Sequence, residues 1–271
     1  MHHPPVPTAK TRGGSARSER APGSERAAWA GAATSATAPE LSLVLPLFDE
    51  EARVAGSLAE LRAALARSGR RWEVLAVDDG SRDGTAARLA AEAAGDARLR
   101  VLTLARNRGK GAAVRAGVLA ARGAYVVFLD ADLSTDLEAL PRLLERLEAG
   151  ADVVYGSRRV AGAQVLAHQP RGRELAGRVF SWLARRAADP DVRDFTCGFK
   201  GFRADAARAL FEPLSTERWA FDAEVARRAR RLGLAREELA VRWTQRGASK
   251  VRVPSAAARS LVDLARIALS R

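Results

Sequence analysis

Five short apolar runs constrain this chain more than any other feature: LSLVLP from Leu41, WEVLAVDD from Trp72, RLRVLTL from Arg98, AYVVFLDAD from Ala124 and DVVYGS from Asp152. Each has the length and the β-branched or large aliphatic content of a strand, and an alanine-rich stretch of helical period follows each of the first four. Strands that alternate with helices of this length are joined by crossovers. They build a mainly parallel central sheet flanked by helices on both faces, an α/β architecture. At 271 residues the chain can hold one sizeable domain of this kind. Residues 1–39 stand apart, rich in Pro, Gly, Ser, Ala and Arg without an apolar period, and read as a disordered basic segment. The organisation expected is therefore 1–39 disordered, 40–253 the α/β domain and 254–271 a C-terminal amphipathic helix.

The formal net charge of +13 draws the chain toward anions: nucleic acid, an acidic membrane surface or phosphorylated substrates. Its arginines are scattered among alanines rather than clustered with aromatics, which argues against specific nucleic-acid binding. Cys197 is the only cysteine, so an intrachain disulfide and a thiolate zinc site are both excluded, and a reducing cytoplasm fits. The N-terminus lacks a continuous apolar core of the signal-peptide type, and no uncharged run approaches the ~18 residues of a spanning helix. A cytoplasmic protein, peripherally associated with the cytoplasmic face of the membrane, is expected.

In such sheets functional residues gather at the carboxyl ends of the strands. Those ends read PLFDEE, DDGSRDGT, RNRGKG, DADLST and GSRR in chain order. Neither common nucleotide fingerprint is present. Gly109-Lys110 is followed by Gly111 and has Leu104 where a phosphate-binding loop needs its first glycine; Gly109-Lys-Gly111 ends at Val114 where a dinucleotide motif needs its third. The acids carry more. Asp130 and Asp132 are two residues apart, so both carboxylates can point to one side, where their repulsion is costly unless a cation sits between them. Hard oxygen ligands this few suit Mg²⁺ or Mn²⁺ completed by water and diphosphate oxygens. Capping of the helix that begins near Asp136 is the competing role, as turn chemistry before Gly80 is for Asp78 and Asp79.

Taken together, VLPLFDEE, VDDGSRDGT, RNRGKGAAVRAG, DADLS and GSR resemble the family 2 glycosyltransferases of GT-A fold, a nucleotide-sugar-binding fold. Downstream, DFTCGFKGFR, WAFDAEV and VRWTQRGASKV resemble its polyprenyl-phosphate branch, in particular dolichyl-phosphate β-glucosyltransferases. The similarity runs from Leu41 to about Val253. It implies a nucleotide-sugar site of Pro46, Phe48, Glu50, Asp78, Asp79, Lys110, Asp130 and Ala131. It also implies a metal held by Asp130 and Asp132, with Ser134 where mannose synthases carry a glutamine, and a catalytic set of Asp130, Asp132 and Arg158.

A lipid monophosphate acceptor is already an anionic nucleophile at neutral pH, so it needs cationic residues to hold it in line rather than a strong base. Arg158, Arg173, Lys200, Arg246 and Lys250 match basic positions of the family motifs. Two segments point to a membrane surface. Leu175, Val179, Trp182 and Leu183 form one helical side with Arg178, Arg185 and Arg186 largely elsewhere, and Leu261, Leu264, Ala265 and Ala268 form another. The reaction expected is transfer of a hexose, glucose from UDP-glucose, to polyprenyl phosphate. Three alternatives stay open: a GDP-mannose donor, a soluble acceptor with Asp222 or Glu224 as base, and a non-catalytic basic binding protein.

Overall fold

The computed structural model describes residues 38–167, 171–246 and 253–270. The chain runs β1 (Leu41–Leu47), α1 (Glu51–Arg67), β2 (Trp72–Asp78), α2 (Thr85–Ala94), β3 (Leu99–Thr103), α3 (Lys110–Ala120), β4 (Tyr125–Leu129), α4 (Ala139–Glu148) and β5 (Val153–Ser157). There follow β6 (Gln164–Ala167), α5 (Arg171–Ala187), β7 (Phe199–Arg203), α6 (Ala204–Phe211), α7 (Phe221–Arg231), β8 (Arg236–Ala240), β9 (Arg242–Thr244) and α8 (Val253–Leu269). The five apolar runs are β1 to β5. Residues 1–37 of the expected N-terminal segment lie outside the described residues.

Seven strands form one sheet in the order β3-β2-β1-β4-β7-β5-β8. β1, β2, β3 and β4 are parallel, β8 is parallel to β5, and β7 alone runs antiparallel, between β4 and β5. A second, two-stranded sheet pairs β6 with β9.

The two-residue period of the strands sorts their side chains into two cores. Leu41, Leu43, Leu45 and Leu47 of β1, with Val74 and Ala76 of β2 and Val127 and Leu129 of β4, pack under Val54, Leu58, Leu61 and Leu65 of α1 and Leu140, Leu143, Leu144 and Leu147 of α4. The alternate positions Val44, Leu75, Val77, Val126 and Phe128 pack on the other face against α3, α6 and α7. Both faces are covered, which is why these strands read as near-continuous apolar runs.

Strand order reverses across β1, with β2 on one side and β4 on the other, so the crevice lies beyond Leu47 and Leu129. The two non-glycine residues with positive φ among the described residues stand there: Asp49 (φ 54°) after β1 and Leu133 (φ 48°) after β4. Asp49 is suited to this conformation, since its Oδ1 accepts the Arg82 N–H at 2.8 Å and its own N–H donates to Ser81 Oγ at 2.9 Å. Leu133 has no such side chain. It is held by burial and by donation of its N–H to the Asp130 carbonyl at 3.0 Å. Backbone strain of this kind persists only where the surroundings over-determine it.

Candidate active site

The crevice is assembled from the four β-strand ends and closed by two later segments. Beyond β2, Asp78 Oδ1 accepts the Ser81 N–H at 3.0 Å and its hydroxyl at 2.5 Å, so Asp78 shapes the DDGS turn. The buried Asp79 accepts the N–H groups of Arg108 and Gly109, each at 2.8 Å, and so fixes the RNRGKG loop against β2. Burial raises the Asp79 pKa, and those two backbone donors oppose the rise. Pro46, Phe48 and Glu50 are half-buried at the end of β1, where Glu50 pairs with Arg53 at 3.2 Å. The Ala131 carbonyl accepts the Ser57 hydroxyl at 2.6 Å and ties the DADLS loop to α1.

Asp130 follows the last residue of β4. Its N–H donates to the Gly198 carbonyl at 2.9 Å, and its carboxylate meets the Lys110 ammonium at 2.5 Å. Lys110 is the first residue of α3. Burial lowers its pKa, but the carboxylates of Asp130 and Asp222 outweigh that and raise it, so Lys110 is a cation here. Asp132 is pushed the other way. Burial first, and then the neighbouring Asp130 charge, raise its pKa, against a Ser134 N–H donated at 2.9 Å. Two carboxylates thus share one strand end at a cost that a divalent cation would relieve. Among the described residues no group of three or more His, Cys, Asp or Glu side chains could cage a metal alone. The Asp130 and Asp132 carboxylates are a donor set of the kind an Mg²⁺ or Mn²⁺ ion takes from protein when water and phosphate complete its shell.

The antiparallel strand β7 explains how the distant DFTCGFKGFR motif reaches this point. Its first residue pairs with the last of β4, Phe199 with Leu129, which sets Gly198 beside Asp130. A Cβ on Gly198 would lie 2.0 Å from Asp130 Oδ2, so only glycine leaves the carboxylate its place. We expect Gly198→Ala to keep the fold, because the obstructed group is a side-chain end, while displacing Asp130. The expected loss of transfer is roughly tenfold to a hundredfold, to be read from steady-state rates beside the thermal transition.

The basic positions singled out in the sequence divide on inspection. The Arg158 guanidinium forms a bidentate pair with the fully buried Asp194, Nε to Oδ2 at 2.8 Å and Nη2 to Oδ1 at 3.0 Å. Nη2 also donates to Thr196 Oγ1 at 2.6 Å, and the group stacks 5.2 Å from the Trp243 ring. Although burial opposes ionisation of both partners, their mutual attraction raises the Arg158 pKa and lowers that of Asp194. These bonds engage Nε and Nη2, and Asp130 still feels the charge. Lys200 does not face the crevice. Its side chain is 0 % exposed, paired with Asp222 at 3.1 Å and donating to the Cys197 carbonyl at 2.6 Å and the Phe195 carbonyl at 3.3 Å. The two-residue period puts Lys200 on the same face as Phe202, under Phe128, so it is a core cation rather than a ligand for an acceptor phosphate. Arg246 pairs with Glu60 at 2.6 Å, and its N–H approaches Ser134 Oγ at 3.4 Å. Ser134 thereby faces the segment after β9, whose Thr244 N–H donates to its carbonyl at 2.8 Å. Arg173 lies on α5, and Lys250 lies outside the described residues.

Sequence reasoning passed over Asp194, Thr196, Gly198 and Trp219. Gly198 sits inside a motif that was recognised, but its role becomes visible only when β7 is inserted beside β4.

The sequence model described as glycosyl transferase family 2 matches residues 42–211. A dolichyl-phosphate beta-glucosyltransferase of Drosophila melanogaster is 37 % identical over 225 residues, covering 78 % of this chain and 69 % of that protein. The enzyme of the same name from Homo sapiens is 35 % identical with the same coverage. Glycosyltransferase AglD of Haloferax volcanii is 36 % identical over 81 % of this chain and 35 % of its own length. Among solved structures, glucosyl-3-phosphoglycerate synthase from Mycobacterium tuberculosis, in complex with Mn²⁺, uridine diphosphate and phosphoglyceric acid, superposes with a TM-score of 0.62. At 20 % identity over 86 % of this chain and 80 % of that one, it attests the GT-A type of fold alone. With its mainly parallel sheet, its acids at the strand ends and these relatives over most of its length, the chain belongs to glycosyl transferase family 2 and is related to the dolichyl-phosphate glucosyltransferases.

Proposed function

We propose that this chain transfers glucose from UDP-glucose to a polyprenyl phosphate, with inversion at the anomeric carbon, while lying on a membrane surface. Asp130 and Asp132, with Ser134 beside them, would hold Mg²⁺ or Mn²⁺ against the diphosphate. The ion's chemistry there is to neutralise charge on the departing UDP. Lys110, already cationic beside Asp130, would share the diphosphate. Pro46, Phe48, Glu50 and Asp79 would line the base pocket, with Asp78 and Ala131 shaping its walls. The Mn²⁺ and uridine diphosphate named for the mycobacterial synthase, and the activity named for the insect and human relatives, support this reading.

One observation carries the choice of acceptor. A hydroxyl acceptor needs a general base, and the two carboxylates of the WAFDAEV motif are both engaged elsewhere. Asp222 is buried against Lys200. Glu224 accepts the Thr216 N–H at 2.8 Å and pairs with Arg228 at 2.8 Å. A phosphate acceptor is ionised already and asks only for positive charge, for which Arg158 and Arg246 stand beside the crevice and Arg173 and Lys250 lie in the adjoining motifs.

The surface of α5 supports a lipid substrate. Its Ser181 and Ala184 face the core, whereas Leu175, Val179 and Trp182 are 62 %, 50 % and 54 % exposed. Arg178, Arg185 and Arg186 flank that stripe, and Arg186 lies 3.7 Å over the Trp182 ring. An outward apolar stripe with arginines beside it matches the interface between an anionic headgroup layer and its acyl chains. Among the described residues no helix is long and apolar enough to cross a membrane. The C-terminal helix α8 contributes to the core through Ser260, Leu264 and Ile267, a face one step round from the Leu261, Leu264, Ala265 and Ala268 expected.

The test is transfer from labelled UDP-glucose, GDP-mannose and UDP-N-acetylglucosamine with and without a short polyprenyl phosphate, with organic extraction of the product. We expect label in the organic phase from UDP-glucose with Mg²⁺ or Mn²⁺ only when the lipid phosphate is present. Preference for GDP-mannose, or transfer to a water-soluble hydroxyl compound instead, would overturn the reading.

A further inference from the structure

Trp219 is 44 % exposed, yet the loop that carries it is among the most firmly built parts of the crevice. Glu224 of α7 accepts the Ser215 N–H at 3.2 Å and the Thr216 N–H at 2.8 Å. The Glu217 carbonyl accepts the Ala112 N–H of α3 at 2.9 Å, and the Glu217 carboxylate pairs with Arg108. Gly109 and Gly111 pack so closely on this loop that a Cβ on Gly111 would lie 2.6 Å from the Thr216 carbonyl oxygen. A large aromatic side chain on so fixed a loop would ordinarily turn inward, because burying an indole is strongly favourable. Here it stays at the surface. Its ring lies 5.5 Å from the Lys110 ammonium, which also contacts Asp130.

Indole and metal-binding carboxylate therefore share one cation, the cation that the diphosphate would meet. A hexose hangs from the outer phosphate of a nucleotide sugar, and the face of Trp219 is an exposed apolar surface close to that cation. We propose that Trp219 is the platform on which the transferred hexose lays its C–H face, a specificity-determining contact that rests on the nucleotide-sugar reading of the site. A pyranose whose hydroxyls are equatorial presents such a flat apolar face on each side, and an axial hydroxyl blocks the side from which it projects. The platform thus reads the configuration of the sugar face laid on it and leaves the nucleotide untouched.

Calorimetric titration of UDP and of UDP-glucose, each with Mn²⁺, into the parent chain, Trp219→Ala and Trp219→Phe tests this. We expect UDP affinity to stay within about twofold in all three, and UDP-glucose affinity to fall about threefold to tenfold in Trp219→Ala, as for loss of one aromatic contact. Trp219→Phe should recover most of the loss, and the thermal transition should not move. Equal UDP-glucose affinity in the parent and Trp219→Ala overturns the proposal and leaves the donor reading intact. So does a Trp219→Ala variant whose only defect is a higher KM for the lipid phosphate, since the platform would then hold the prenyl chain. If the parent binds neither UDP nor UDP-glucose, the donor reading falls and this proposal falls with it.

Discussion

Asp132→Ala is expected to cut transfer by roughly a hundredfold to a thousandfold, the range for losing one electrostatic stabiliser of a transition state, with no loss of thermal stability. Asp132 takes no part in the apolar core, and its carboxylate receives one backbone N–H, from Ser134. Burial and the Asp130 charge raise its pKa above the ordinary value. A carboxyl whose folded pKa lies above its unfolded value favours the fold only while protonated, and that contribution is lost as the pH rises through the folded pKa. Once ionised, Asp132 therefore opposes folding, and alanine removes the opposition. Asp130 keeps its partner in Lys110. The loss should be confined to the step in which charge builds on the departing diphosphate. Rates, melting temperature and Mn²⁺ binding in the presence of UDP would be compared between parent and variant. Full activity in Asp132→Ala, or parent activity undiminished in excess chelator, would end the metal assignment.

The half of the molecule that holds Asp132 was the half most legible in the sequence, for a physical reason. A parallel strand covered on both faces must be apolar throughout, so β1, β2, β4 and β5 declare themselves, and their carboxyl ends locate the acids without any tertiary information. The opposite holds for β7. Its FKGFR interrupts apolar residues with two bases, and nothing local says that it will be inserted antiparallel between β4 and β5. Its lysine reads as a surface base because the anion that neutralises it is Asp222, far along the chain. Arg158 is legible in part: the GSRR strand end shows the base but not its partner Asp194, which takes up Nε and Nη2. In α5 the apolar stripe was legible and its exposure was not, since periodicity identifies an apolar face without saying whether protein or lipid covers it.

Asp222→Ala is expected to cost about 3–5 kcal/mol of stability, the range for stripping one partner from a buried ion pair. Lys200 has no water to turn to: its side chain is 0 % exposed, and the Cys197 and Phe195 carbonyls can solvate the ammonium without neutralising it. For a domain of this size that cost would lower the melting temperature by on the order of 10 °C. Burial raises the Asp222 pKa while Lys200 and Lys110 pull it back, so the carboxylate and its two cations behave as one unit. Removing both charges should therefore recover much of what either single change loses. Lys200→Met with Asp222→Ala puts an apolar chain beside Phe128, and a double-mutant cycle over these positions should return a coupling of about 1–3 kcal/mol. The outcome also separates the two acceptor classes. If Asp222 held its partner in place without touching the acceptor, the double variant would regain transfer along with stability. If Asp222 were the base for a soluble hydroxyl acceptor, Asp222→Asn would abolish transfer, and a substitution at Lys200 that recovered the stability would not restore it.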